Sequence, residues 1–77
     1  MLEECWTRVL ELLEPEMTGI SFATWIKPLI PISMDNESFT VKASSPFQKD
    51  SIYSRYADLI KASIRQVTNK DLELNVV

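Results

Sequence analysis

Few side chains in this 77-residue chain could do chemistry, since it has one cysteine, no histidine and one glycine. An ordinary zinc site needs histidine or several cysteines, and an internal disulfide needs a second cysteine, so both are excluded. A Gly-x-x-x-x-Gly-Lys-Ser/Thr phosphate loop needs two glycines and is excluded as well. No pair of carboxylates falls in a predicted apolar pocket, and no general base or nucleophile stands out. We therefore expect no catalysis, no metal and no cofactor.

The most distinctive segment is 21–28, which reads Ser-Phe-Ala-Thr-Trp-Ile-Lys-Pro. Phe22, Trp25 and the isoleucine after it stand three and four residues apart, so a helix would turn all three to one side. Ser21 can act as the N-cap, and Pro28 ends the helix after about two turns. A helix that short is marginal on its own. We therefore expect Phe22 and Trp25 to be buried between longer neighbours.

The first of these neighbours is an amphipathic helix predicted from Leu2 to Leu13, ending before Pro15. Its apolar residues recur at steps of three and four. They are Leu2, Cys5, Trp6, Val9, Leu10, Leu13 and Met17. Cys5 is expected to be a buried small hydrophobe. Gly19 lies in the connection to the short helix, where we expect a reversal of the backbone.

A β-hairpin is predicted after the short helix. Segment 29–34 is β-like but contains Pro31, which cannot donate to a ladder, so this strand belongs at a sheet edge. A turn signal at 35–37 is followed by 38–43, where polar and apolar residues alternate. The residues expected to face the core are Phe39, Val41 and Ala43.

A long helix is predicted from Pro46 to about Thr68, with Ser45 as N-cap and Gln48 placed to close a capping box. Its apolar side chains follow a helical period. They are Ile52, Tyr53, Tyr56, Leu59, Ile60, Ile64 and Val67. Segment 72–76 alternates apolar with polar residues and predicts a third strand.

The order helix, helix, strand, strand, helix, strand predicts a single α+β domain over residues 1–77, with helices on one face of a three-stranded sheet. A chain of this size has room for one core. The strand with the proline belongs at an edge, so the second strand should be central. A strand–helix–strand crossover favours a third strand parallel to the second.

Composition favours protein partners. The net charge of −3 disfavours binding to phosphate backbones by bulk electrostatics. No apolar run approaches the roughly 18 residues of a membrane span, and no signal peptide is recognisable. We therefore expect no membrane association and a cytoplasmic location.

Several of these residues together resemble the N-terminal domain of the bacterial replication initiator DnaA. The resemblance rests on Trp6 in its apolar stripe, on the Phe-x-x-Trp-Ile-Lys-Pro run, and on Pro46-Phe47 opening a long helix that contains Tyr56. With the hairpin between them, it covers essentially the whole chain. It implies a KH-like fold and a non-catalytic interaction domain that self-associates, contacts the replicative helicase and binds initiation regulators. ATP binding and recognition of double-stranded DNA belong to other domains of that family.

The resemblance also implies roles for particular residues. Trp6 corresponds to the aromatic residue of the self-association surface, which forms a weak homodimer. Ser21 and Phe47 correspond to positions that bind the helicase or regulators, although Ser21 is neutral where some relatives are acidic. Gln48 lies near the same surface by helical geometry and is included in it.

Alternatives remain open at two positions and for the function. Trp6 lies on the apolar stripe and could belong to the core. Phe47, at the second position of its helix, is expected to point outward. The alternative function is a KH-like single-stranded nucleic-acid-binding module. Its usual Gly-x-x-Gly loop cannot be made with one glycine, and the basic residues of the long helix are interleaved with aspartates.

Overall fold

A computed structural model describes all 77 residues, Met1–Val77. Helix α1 spans Leu2–Leu13 and runs into a 3₁₀ turn, Glu14–Glu16. Helix α2 comprises Gly19–Ser21 and a π-helical turn, Phe22–Ile26; helix α3 comprises Pro46–Ser51, a π-helical turn, Ile52–Tyr56, and Ala57–Thr68. The strands are β1, Ile30–Met34, β2, Ser38–Lys42, and β3, Glu73–Val76. The predicted α+β order is confirmed.

The three strands form one mixed sheet in the order β1-β2-β3. Strand β1 is antiparallel to β2, as the predicted hairpin requires, and β3 is parallel to β2, as the crossover predicted. The register of the first pair shifts between Pro31 and Ser33, which is a β-bulge. A proline and a bulge together make an edge strand a poor template for further pairing.

One cluster of 15 buried apolar residues holds the fold together, drawn from all three helices, from strands β2 and β3, and from Leu29 and Leu72 just before β1 and β3. Phe39 and Val41 of β2 are fully buried, as predicted, whereas Ala43 is only partly buried. The largest fully buried side chains are Phe39, Leu13, Ile26, Ile52, Ile60 and Ile64. None of the helices is long and apolar enough to cross a membrane.

Helix α2 begins earlier than the sequence pattern predicted. Its N-cap is Thr18, whose hydroxyl oxygen accepts a hydrogen bond from the Ser21 N–H at 3.1 Å. Ser21 therefore lies inside the helix, and the prediction that it is the N-cap was wrong. Both residues can cap, but only Thr18 has the extended backbone of a cap, at φ −67° and ψ 154°. Gly19 is the first helical residue and has no positive φ, so the prediction that it lies in the connecting segment was wrong.

The start of α3 follows the prediction in part. Ser45 is the N-cap and its hydroxyl oxygen accepts a hydrogen bond from the Gln48 N–H at 3.1 Å, with Pro46 at the first helical position. The Gln48 side chain does not return to the Ser45 N–H, as a capping box requires. Its Oε1 instead accepts from both the N–H and the hydroxyl of Ser44.

The π-helical turn in α3 keeps both halves of the helix facing the core. On an uninterrupted α-helix, Gln48 and Ile64 would lie about 160° apart around the axis, on opposite sides. A π-helical turn holds about one extra residue, which removes about 100° of that offset. Gln48 and Ile64 are accordingly both buried. A continuous α-helix was predicted from the sequence, so this turn is a correction.

The same turn is tied to the last strand. The Tyr53 hydroxyl oxygen accepts a hydrogen bond from the Val76 N–H at 2.8 Å. Tyr53 was expected on the apolar stripe, but its side chain is partly exposed. Tyr53 therefore lies outside the core cluster and links α3 to β3 through its hydroxyl group.

Candidate functional site

Phe47 is the exposed aromatic residue predicted at the start of α3. Its side chain is 71% exposed, which is high for so large an apolar group. The position explains the exposure. Phe47 is the second residue of α3, directly after the N-cap Ser45 and Pro46, and so lies at the very end of the helix. The prediction that Phe47 points outward is confirmed.

Trp25 of α2 lies against Phe47, with the ring centroids 5.7 Å apart and the planes inclined at 53°. It also contacts Tyr56, whose ring centroid is 6.4 Å away. Both distances are typical of interacting aromatic pairs. Trp25 was expected in the core, like Phe22, but only Phe22 is buried; Trp25 is partly exposed. Trp25, Phe47 and Tyr56 form a continuous group, called here the α2–α3 aromatic surface.

Gln48 lies beneath this surface rather than on it. Its side chain is 4% exposed, and its Nε2 donates to the Trp25 backbone oxygen at 3.0 Å. Its Oε1 accepts two hydrogen bonds from Ser44, so both the nitrogen and the oxygen of the amide group have partners within the protein. A direct contact between Gln48 and a partner stays a prediction, and the geometry favours a supporting role.

Ser21 lies one helical turn before Trp25 and is partly exposed. Its backbone N–H is used by Thr18, and its side chain has no hydrogen bond within the protein. Ser21 therefore extends the α2–α3 aromatic surface with a small polar group. Its role in binding stays a prediction.

Trp6 lies away from this surface, within the core. Its side chain is 5% exposed, and its ring packs on Phe39 with the centroids 5.6 Å apart. The core interpretation of Trp6 is therefore confirmed. The role in self-association, which the resemblance implied, stays a prediction and would use only the small exposed part of the side chain.

Comparison with known protein families gives one match. The family model described as the DnaA N-terminal domain matches residues 3–66. The matched range includes α2, β1, β2 and most of α1 and α3. The chain belongs to the DnaA N-terminal domain family. It is thus a domain of the kind found in the DnaA replication initiator, as the resemblance of its residues implied. Strand β3, at 73–76, lies outside the matched range; the sequence pattern predicted it and the structure contains it.

Two ionisable groups of this DnaA N-terminal domain have perturbed pKa values, Cys5 and Asp35. Cys5 is buried, and burial raises the pKa of its thiol, against a smaller opposing effect of the Arg8 charge. A protonated thiol is a poor nucleophile. The Sγ atom lies 4.0 Å from the Met34 Sδ, in a packing contact. Cys5 is therefore best explained as part of the core.

The other perturbed group lies in the hairpin loop. The backbone N–H groups of Glu37 and Ser38 donate to the Asp35 Oδ1 at 2.7 and 2.8 Å. These bonds favour the carboxylate and hold the pKa of Asp35 below its usual value. Because the bonds close a tight turn, this shift belongs to the architecture of the hairpin rather than to a site.

Sequence reasoning found Phe47 and Ser21 but missed Trp25 and Tyr56 as members of the surface. The spacing of Phe22 and Trp25 placed both on the buried face of α2. The three-residue step from Phe22 to Trp25 puts Trp25 at the margin of that face, and this spacing is the signal that could have distinguished the two residues. Its contact with Phe47, 22 positions further on, could not be read from either segment.

Proposed function

We propose that this domain is the protein–protein interaction module of a replication initiator, which recruits the replicative helicase through the α2–α3 aromatic surface. The observation that carries the proposal is Phe47, 71% exposed and packed against the partly exposed Trp25. An aromatic anchor surrounded by polar residues is the usual composition of a protein-binding hot spot. Ser21 and the exposed residues Lys49 and Asp50 of α3 supply such a rim.

The module acts by tethering and not by catalysis. A single contact of this size is weak, since it offers few anchors. When several initiators gather on one stretch of DNA, later contacts with the helicase become effectively intramolecular and gain strength. Initiation regulators would bind the same surface and so compete with the helicase.

Replacement of Phe47 tests the proposal. Phe47→Ala should weaken binding to the helicase of the same cell by about tenfold or more, because it removes the central anchor. The free energy of unfolding should change by less than about 1 kcal/mol, because most of the ring is exposed. Binding is measured by surface plasmon resonance and stability by urea unfolding.

Ile30→Ala is the matched control, since Ile30 is 56% exposed but lies on the edge strand β1. It should leave helicase binding unchanged. Equal losses in the two variants, or none in Phe47→Ala, would contradict the assignment of the surface. A large loss of stability in Phe47→Ala would mean that the residue supports the fold.

We further propose that two copies associate through α1. Leu2, Trp6 and Leu10 follow one another at four-residue steps, and the two leucines are partly exposed beside the buried tryptophan. They offer an apolar strip to a second copy. Leu10→Lys should lower the dimer fraction in sedimentation equilibrium, whereas Ala62→Lys, at an exposed position of α3, should not. Equal dimer fractions in both variants would argue against this face.

A further inference from the structure

The α2–α3 aromatic surface depends on two helices whose facing ends are joined by one buried side chain. Helix α2 ends at Ile26, and α3 begins at Pro46. Gln48 spans the junction, with Nε2 on the Trp25 oxygen of α2 and Oε1 on Ser44 before α3. Phe47 is the residue immediately before Gln48, and Trp25 carries the carbonyl group that Gln48 binds.

The end of α2 leaves this carbonyl group in need of a donor. The N–H of the residue four positions later, Leu29, bonds to Ile26, and Pro28 has no N–H to offer. The N–H of Lys27 bonds to Phe22. A backbone oxygen left unpaired at a helix end costs free energy when it is shielded from water. The Gln48 amide supplies the missing donor.

The orientation of the amide is fixed by its partners. Its NH₂ group faces a carbonyl oxygen, and its oxygen faces an N–H and a hydroxyl group. The reverse orientation would bring oxygen against oxygen at Trp25 and donor against donor at the Ser44 N–H. With 4% exposure, water has little access to replace these bonds.

We propose that Gln48 is a positioning residue, which holds the end of α2 against the start of α3 and so fixes Trp25 and Phe47 as one binding surface. The role rests on the proposed function for its effect on affinity. It differs from the direct contact expected from the sequence, because the side chain is buried and its polar atoms are all bonded within the protein.

Gln48→Glu separates this role from simple capping of α3. At mildly alkaline pH the introduced carboxylate still accepts from Ser44 but cannot donate to the Trp25 oxygen. A negative charge at a helix N-terminus also suits the helix dipole. If Gln48 only caps α3, the Trp25–Phe47 ring contacts of the variant should equal those of the wild type, although the buried charge lowers its stability. If Gln48 positions the two rings, the ring contacts should weaken in Gln48→Glu as they do in Gln48→Met, which loses every side-chain bond.

The first measurement is made on the free domain. Nuclear Overhauser contacts between the Trp25 and Phe47 rings should weaken in Gln48→Glu and Gln48→Met, at a temperature where circular dichroism shows all variants folded. They should persist in Gln66→Met, which replaces an exposed glutamine of the same helix, and in Ser44→Ala, which keeps the bond to α2. Unchanged contacts in Gln48→Glu would overturn the proposal.

The second measurement is a double-mutant cycle with helicase binding. Gln48→Met alone should weaken binding by roughly 2- to 30-fold. In the Phe47→Ala background, Gln48→Met should weaken helicase binding by less than about a further twofold, because it acts through the same ring. Additive losses would mean that Gln48 acts independently of Phe47 and would overturn the proposal. If the wild type does not bind the helicase, the proposed function fails, and the ring contacts alone decide the role of Gln48.

Discussion

Gly19 shows how a residue type can mislead when its conformation is unknown. As the only glycine of the chain it suggested a reversal in the connection before α2, yet it has no positive φ and is the first residue of that helix. A Cβ atom added there would meet nothing within 4 Å. Neither the backbone nor the packing of this fold therefore requires a glycine at this position.

Gly19→Ala should therefore stabilise the domain by about 0.4–1 kcal/mol, because alanine restricts the unfolded chain more than glycine does. In a domain of this size, that corresponds to a rise in Tm of about 2–8 °C. Thermal unfolding followed by circular dichroism measures the shift. A lower Tm would mean that the backbone at Gly19 is strained in a way that its dihedral angles do not reveal.

At the residue scale, local chemistry was predictable and distant contacts were not. Ser45, Pro46 and the exposure of Phe47 follow from neighbours within a few positions, so the sequence was sufficient. The bond between Gln48 and Trp25 joins residues 23 positions apart. Only the folded chain brings such residues together, which is why Gln48 was expected on the surface rather than beneath it.

The hairpin loop should make the stability of the domain depend on pH. The carboxylate of Asp35 accepts hydrogen bonds from the N–H groups of Glu37 and Ser38, and these bonds lower its pKa. A lowered pKa in the folded state favours folding while the group is ionised. That contribution is present above the pKa of the unfolded chain and is lost as the pH falls through the lower pKa of the folded protein.

Acidification below about pH 5 should therefore weaken the domain in part through Asp35. In Asp35→Asn the amide oxygen can still accept both bonds but does not titrate in this range. Urea midpoints of the two proteins, followed across this pH range, should fall less steeply for the variant. Parallel curves would show that Asp35 contributes nothing to the pH dependence.

Elements with a clear period were predicted well. Helix α1 has the predicted bounds, and the buried and exposed positions of β2 alternate as its sequence does. The π-helical turns in α2 and α3 were missed, because no residue type specifies them. The turn in α3 lets both halves of that helix face one core, and that demand comes from packing rather than from local sequence.

At the scale of the whole molecule, the fold separates core from binding surface. The helices cover one face of the sheet, and the paired aromatic rings divide between the core, with Trp6 and Phe39, and the α2–α3 aromatic surface. The outer face of the sheet carries both Lys42 and Glu73, so no basic cluster there favours the alternative of nucleic-acid binding. Sequence alone predicted the topology, while the extent of the surface required the structure.

The most direct test of the central proposal is an amide NMR titration of the labelled domain with the replicative helicase of the same cell. Shifts concentrated in segments 20–27 and 46–50, with β1 unaffected, are the predicted result. They would place the helicase on the α2–α3 aromatic surface. Shifts centred on the sheet, or none at a saturating concentration of helicase, would contradict the account.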